Sequence, residues 1–242
     1  MTGGTLIGVG VGPGDPELLT VKAVEAIRSA PVIAFFAKAG QRGHARRIAD
    51  RWIPAGRIEL PLYYPMTSET RFDSPVYVTA LDRFYTEATE TLAAHLTADR
   101  DVALLAEGDP LFYGSFIHLY VRLRERFATM IVPGVTGMAG CWAAANQPMS
   151  RGDDILTILP GTLHEEELTA RLAGTDAAVV VKLGSNFPKV RRAIERAGIA
   201  GRAVYVERGT MEGEAIVRLV DKNDDIAPYF SLVLIPGTGR RP

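Results

Sequence analysis

Cysteine is almost absent: Cys141 stands alone in 242 residues. One thiol excludes a disulfide framework and a cysteine-built metal site. It sits in TGMAGCWAAA among small and apolar residues, where a buried structural thiol is the expected role. A charge excess is also missing. The net charge is −1, so no global field draws the chain to nucleic acid or to an anionic membrane. Long apolar runs are missing too, because Gly, Pro or a charge interrupts each one short of a membrane span. No basic flank leads into an apolar stretch at the start, so no signal peptide is expected and the cytoplasm is the default location. The four histidines, His44, His95, His118 and His164, lie far apart without metal-ligand spacing, and no metal is expected. There is no serine elbow and no acidic pair for acid–base work, so catalytic residues stay unassigned.

Glycine, by contrast, is placed in patterns. Gly8, Gly10, Gly12 and Gly14 alternate in GVGVGPGD. A dinucleotide fingerprint needs a third glycine three residues after the second, and those positions hold Pro13 or Asp15. No acidic residue ends the next apolar run, and no Walker-type lysine follows a glycine loop. What remains is a βα turn whose backbone can approach a ligand closely, stiffened by Pro13. A second such loop, Glu107-Gly108-Asp109-Pro110, follows the apolar run Val102 to Ala106, which reads as a strand buried on both faces. Asp109 before Pro110 is a helix-start signal, and a helix is expected from about Leu111 to Phe127. Asp109 is therefore either a cap or part of a site. In an open α/β sheet, ligands bind beyond the carboxyl ends of the strands.

Strands and helices alternate up to Asn146-Gln147-Pro148, which predicts an α/β domain with a parallel sheet over residues 1–147. After it, Ala203 to Glu207 and Ala215 to Val220 are strands with no helix between them, and antiparallel pairing is expected. Residues 148–242 therefore read as a second α/β domain with a mixed sheet. The segment Pro61 to Pro75 (PLYYPMTSETRFDSP) has no period and reads as a long loop, of the kind that is usually functional. Lys38, Arg42, His44, Arg46, Arg47 and Arg51 crowd one short stretch. They form either a solvated helix face or a local anion-binding wall, since arginine forks suit carboxylates.

Several segments together resemble the tetrapyrrole methylases, a class of S-adenosylmethionine-dependent methyltransferases with two α/β domains. They are VGVGPGDPELLTVKA, EGDPLFYGS, VPGVT at Val132 to Thr136, VVVKLG at Val179 to Gly184 and VERGT at Val206 to Thr210. FYGSF, the HLY after it and LYYPMT are most like members that methylate C20 of precorrin-2 in cobalamin synthesis. The resemblance implies S-adenosylmethionine as cofactor, held in the cleft between the domains by Pro13, Gly108, Asp109, Phe112, Thr136, Gly137, Leu183 and Gly209. Several relatives carry methionine at the Leu183 position and alanine at Gly209. Tyr63, Met66 and Arg71 of the long loop would hold the carboxylate-rich macrocycle. The resemblance also implies a homodimer. It leaves open a cobalt-loaded substrate, another tetrapyrrole carbon, or a module that binds the cofactor without turnover.

Overall fold

The carboxyl edge of a five-stranded parallel sheet gathers the glycine loops of the first half. The computed structural model describes residues 3–65 and 75–239. They fall into two compact units, Met1–Gly137 and Met138–Pro242.

In the first unit the strands are β1 (Leu6–Gly10), β2 (Val32–Lys38), β3 (Ile58–Tyr64), β4 (Val102–Ala106) and β5 (Thr129–Val132), in the order β3-β2-β4-β1-β5. All their pairings are parallel. Because side chains alternate along a strand, β4 offers Val102, Leu104 and Ala106 to one face and Ala103 and Leu105 to the other. Helices α3 (Pro75–Thr97) and α4 (Phe116–Leu123) cover the first face; α1 (Val21–Ser29) and α2 (His44–Ile48) cover the second. Gly8 serves this packing rather than a ligand: a Cβ there would sit 2.4 Å from Cζ of the fully buried Phe116 ring. Burying such a ring stabilises the unit by about 2–3 kcal/mol.

Some expected boundaries move. α4 begins at Phe116, not near Leu111, because Tyr113 turns left-handed at φ 54° and breaks the run. After the first glycine loop comes a single turn, Pro16–Leu18, capped by the Asp15 carboxylate, and then α1, capped by the Thr20 hydroxyl. β3 runs through Pro61 to Tyr64, into what reads as loop. Pro61 is tolerated because β3 is an edge strand with one side unpaired.

In the second unit the strands are β6 (Leu156–Pro160), β7 (Ala177–Val181), β8 (Val204–Glu207), β9 (Ala215–Arg218) and β10 (Ser231–Ile235), ordered β6-β7-β10-β8-β9. The sheet is mixed: β6 and β7 are parallel, and β8–β9 pair antiparallel as expected. Helices α6 (Glu165–Ala173) and α7 (Phe187–Arg196) complete it. Helix α5 (Gly137–Ala144) packs here too, since Cys141 shares a core with Met149, Val179, Val206 and Leu232. The compact units thus divide ahead of the change of sequence pattern at Gln147.

Candidate functional site

Three loops meet backbone to backbone at the carboxyl ends of β1, β4 and β5. The Gly108 N–H donates to the Gly12 carbonyl at 2.8 Å, and Val11 N–H to the Ala106 carbonyl at 2.9 Å. A Cβ on Gly10 would lie 2.5 Å from the Gly134 nitrogen, and one on Gly134 would lie 2.1 Å from the Gly108 oxygen. No side chain fits at either position. Gly108 turns at φ 64°, in the left-handed region that glycine enters without strain. The connections of the neighbouring strands β1 and β4 leave in opposite directions, β1 to β2 and β4 to β5. That is the switch point where open α/β sheets bind ligands.

Asp109 locks these loops together. One carboxylate oxygen accepts from Leu111 N–H at 2.9 Å, and the other from Gly134 N–H at 3.1 Å. It does not cap α4, which starts well beyond it; it closes a local turn and ties the β4 loop to the β5 loop. Pro13 is buried beside them, Phe112 is half-buried and in edge contact with Tyr113, and Thr136 leads into α5. Gly137, the first residue of that helix, is exposed, with nothing within 4 Å of where a Cβ would be. The first unit therefore brings Pro13, Gly108, Asp109, Thr136 and Gly137 to one sheet edge. Phe112 is on the same loop.

In the second unit, Leu183 and Gly209 follow β7 and β8. Both strands run antiparallel to β10 between them, so the two residues leave the same edge of their sheet. The Leu183 side chain is buried in the core with Val180, Phe187 and Val190, which leaves its backbone for any ligand. Gly209 lies against α5: a Cβ would stand 2.7 Å from Cys141 Sγ and 3.0 Å from its Cα. Burial pushes the Cys141 thiol up to about 12, so it is protonated and inert. Left-handed backbone gathers at these loops. Lys182 precedes Leu183 at φ 58°, and Arg208 and Thr210 flank Gly209 at 49° and 67°. For a β-branched threonine this is a strained conformation, of the kind that persists at functional sites. Glu214 holds the Thr210 N–H at 2.7 Å.

Tyr63 belongs to the edge strand β3, is 48% exposed, and borders an open groove of about 710 Å³ with Val76, Thr79, Arg83 and Glu87. Met66 and Arg71 lie outside the described residues. Three guanidinium groups of the cationic stretch, those of Arg42, Arg46 and Arg51, already face carboxylates. Arg46 is 4% exposed and forks onto Glu59 at 2.6 and 2.9 Å, with Asp50 at 2.6 Å. These bonds hold the Glu59 and Asp50 carboxyls below their usual range. Arg42 also reaches Asp50, Arg47 bonds His44, and Arg51 lies near Glu17.

Sequence reasoning missed Glu107. It continues the Ala103–Leu105 side of β4 and so turns toward α2, where the Ala45 N–H donates to its carboxylate. Burial pushes this carboxyl up to about 7, against the weaker pull of Ala45 and Arg47. The strand period could have signalled its direction; the helix it meets could not be read locally. Among the described residues no three His, Cys, Asp or Glu converge as a metal site, and no helix is long and apolar enough to cross a membrane.

A family model described as Tetrapyrrole (Corrin/Porphyrin) Methylases matches residues 5–221. The chain is 55% identical to a precorrin-2 C(20)-methyltransferase of Sinorhizobium sp, over 99% of this chain and 98% of the relative. It is 27% identical to the cobalt-precorrin-2 C(20)-methyltransferase of Salmonella typhimurium, over 96% of each chain. The structure of a uroporphyrin-III C-methyltransferase from Thermus thermophilus complexed with S-adenosylhomocysteine has the same fold. The TM-score is 0.68 over 96% of this chain and 97% of that one, at 22% identity.

Proposed function

The chain belongs to the tetrapyrrole (corrin/porphyrin) methylases, and from that membership we propose that it methylates C20 of precorrin-2, with S-adenosylmethionine as donor. The observation that carries this reading is the 55% identity over nearly the whole of both chains. The bare loops fit the cofactor. Gly10, Gly108 and Gly134 leave only backbone at the sheet edge, Gly137 stands open, and both Asp109 oxygens are held by N–H groups. Pro13, Gly108, Asp109, Phe112, Thr136, Gly137, Leu183 and Gly209 are the proposed contacts, largely through backbone groups. Tyr63, Met66 and Arg71 are the proposed contacts to the macrocycle.

When bound, S-adenosylmethionine supplies an already activated methyl group. A C–H bond is exchanged for a C–CH3 bond, so one proton leaves and S-adenosylhomocysteine remains. The protein's share is alignment and exclusion of water, which asks for rigid backbone rather than a triad. We further place the enzyme in the cytoplasm, the default location for such a sequence, and in a homodimer, as the family resemblance implies; light scattering tests the second point.

The cobalt-loaded substrate is the alternative, with the weaker support of the 27% relative. Titration with S-adenosylmethionine, with and without precorrin-2, separates an enzyme from a binding module. The proposal expects S-adenosylhomocysteine only when the macrocycle is present. Cofactor uptake with no product in either arm contradicts it.

A further inference from the structure

Ser115 stands at the N-cap position of α4, yet its side chain caps nothing in the helix. Serine at this position ordinarily accepts from the second or third helical N–H. Here the backbone is already helical, at φ −67° and ψ −21°, and the hydroxyl bonds two phenols from other elements. The Tyr64 hydroxyl, at the end of β3, donates to Ser115 Oγ, and the Tyr85 hydroxyl, on α3, donates to it at 3.3 Å. Both rings are themselves fixed. Tyr64 stacks on Phe36 with centroids 5.5 Å apart and leans on Phe84 at 5.0 Å. Tyr85 stacks on His118 at 4.3 Å and lies under the Arg122 guanidinium.

The segment held this way is the one between β4 and α4. It has no regular structure, and it carries Phe112 and the left-handed Tyr113. Asp109 pins its near end to Leu111 and Gly134. Ser115 is the corresponding pin at its far end. We propose that Ser115, clamped by Tyr64 and Tyr85, is a positioning residue for the methyl transfer: it fixes the far end of the 109–115 loop so that Phe112 meets the cofactor. This inference rests on the proposed function, because it assumes that Phe112 is a cofactor contact.

The test uses three variants of the full chain: Ser115→Ala, Ser115→Thr, and the pair Tyr64→Phe with Tyr85→Phe. Each is measured for S-adenosylhomocysteine affinity, for kcat and macrocycle KM, and for Tm. Ser115→Ala and the double Phe variant each remove both clamp bonds and should each weaken the cofactor product about fivefold or more. Macrocycle KM should stay the same. Ser115→Thr keeps the hydroxyl and should restore most of the affinity. The double Phe variant keeps both packed rings, so Tm should change little while affinity falls. A merely structural clamp would lower Tm and affinity together. Wild-type affinity in both Ser115→Ala and the double variant, or losses that follow Tm, would overturn the proposal. If the unaltered protein itself neither binds S-adenosylhomocysteine nor methylates, the functional reading fails, and this inference with it. If it does both and the variants match it, only the clamp fails.

Discussion

Replacing Glu107 with glutamine isolates the cost of a carboxylate that faces inward at the mouth of β4. The unfolded chain titrates this group near its ordinary 4.5, whereas burial pushes it up to about 7 in the folded protein. Between those values the folded state holds a proton that the unfolded state has lost. Stability therefore falls as pH rises through this window and levels off above it. The gap corresponds to about 3 kcal/mol at most, at about 1.4 kcal/mol for each pH unit, and the water that reaches this half-buried residue reduces it. Glutamine keeps an oxygen for the Ala45 N–H and never ionises. Glu107→Gln should match the unaltered protein near pH 5 and exceed its stability near pH 8 by about 1–3 kcal/mol. The assay is urea unfolding followed by tryptophan fluorescence. The chain has two tryptophans, Trp52 in the first unit and Trp142 in the second, so a Trp142→Phe background reports the unit that holds Glu107. Parallel stability curves for the two proteins from pH 5 to pH 8 would refute the reasoning.

Asp109→Asn should destabilise by about 1–3 kcal/mol, because both oxygens accept N–H groups and the amide sets a donor against one of them; thermal melts check this, and an unchanged Tm contradicts the two-bond geometry. Gly134→Ala should lose S-adenosylhomocysteine binding by calorimetry, since its Cβ would fall 2.1 Å from the Gly108 oxygen and force the loops apart; full affinity would show that these loops do not hold the cofactor. Gly209→Ala should cost about 1–3 kcal/mol through overpacking on Cys141, and adding Cys141→Ala should recover part of that loss; additive losses in the double variant would mean the two residues do not share space.

Much of the fold was legible because buried parallel strands leave a plain mark. Val102–Ala106 is a continuous apolar run ahead of a Gly-Asp-Pro turn, and it forms a strand where that pattern puts it. The loops misread were those whose partners are remote. The Asp109 carboxylate answers to Gly134, not to a helix just after it, and no local signal names that partner. Arg46 finds Glu59, thirteen residues on, so this guanidinium of the cationic stretch is held in an ion pair that no local signal names. Pro61 looks like a strand break until β3 proves to be an edge. At the site, glycine spacing alone did not distinguish Gly8, which makes room for Phe116, from Gly10, which makes room for Gly134.

The central claim is most directly tested by giving the protein precorrin-2 and S-adenosylmethionine carrying an isotope-labelled methyl group, then locating the label in the macrocycle by NMR. A parallel arm uses the cobalt-loaded macrocycle. The account predicts the label on C20 of metal-free precorrin-2, with S-adenosylhomocysteine released in equal amount. Label on another carbon, turnover of the cobalt form alone, or bound cofactor that never loses its methyl group would contradict it.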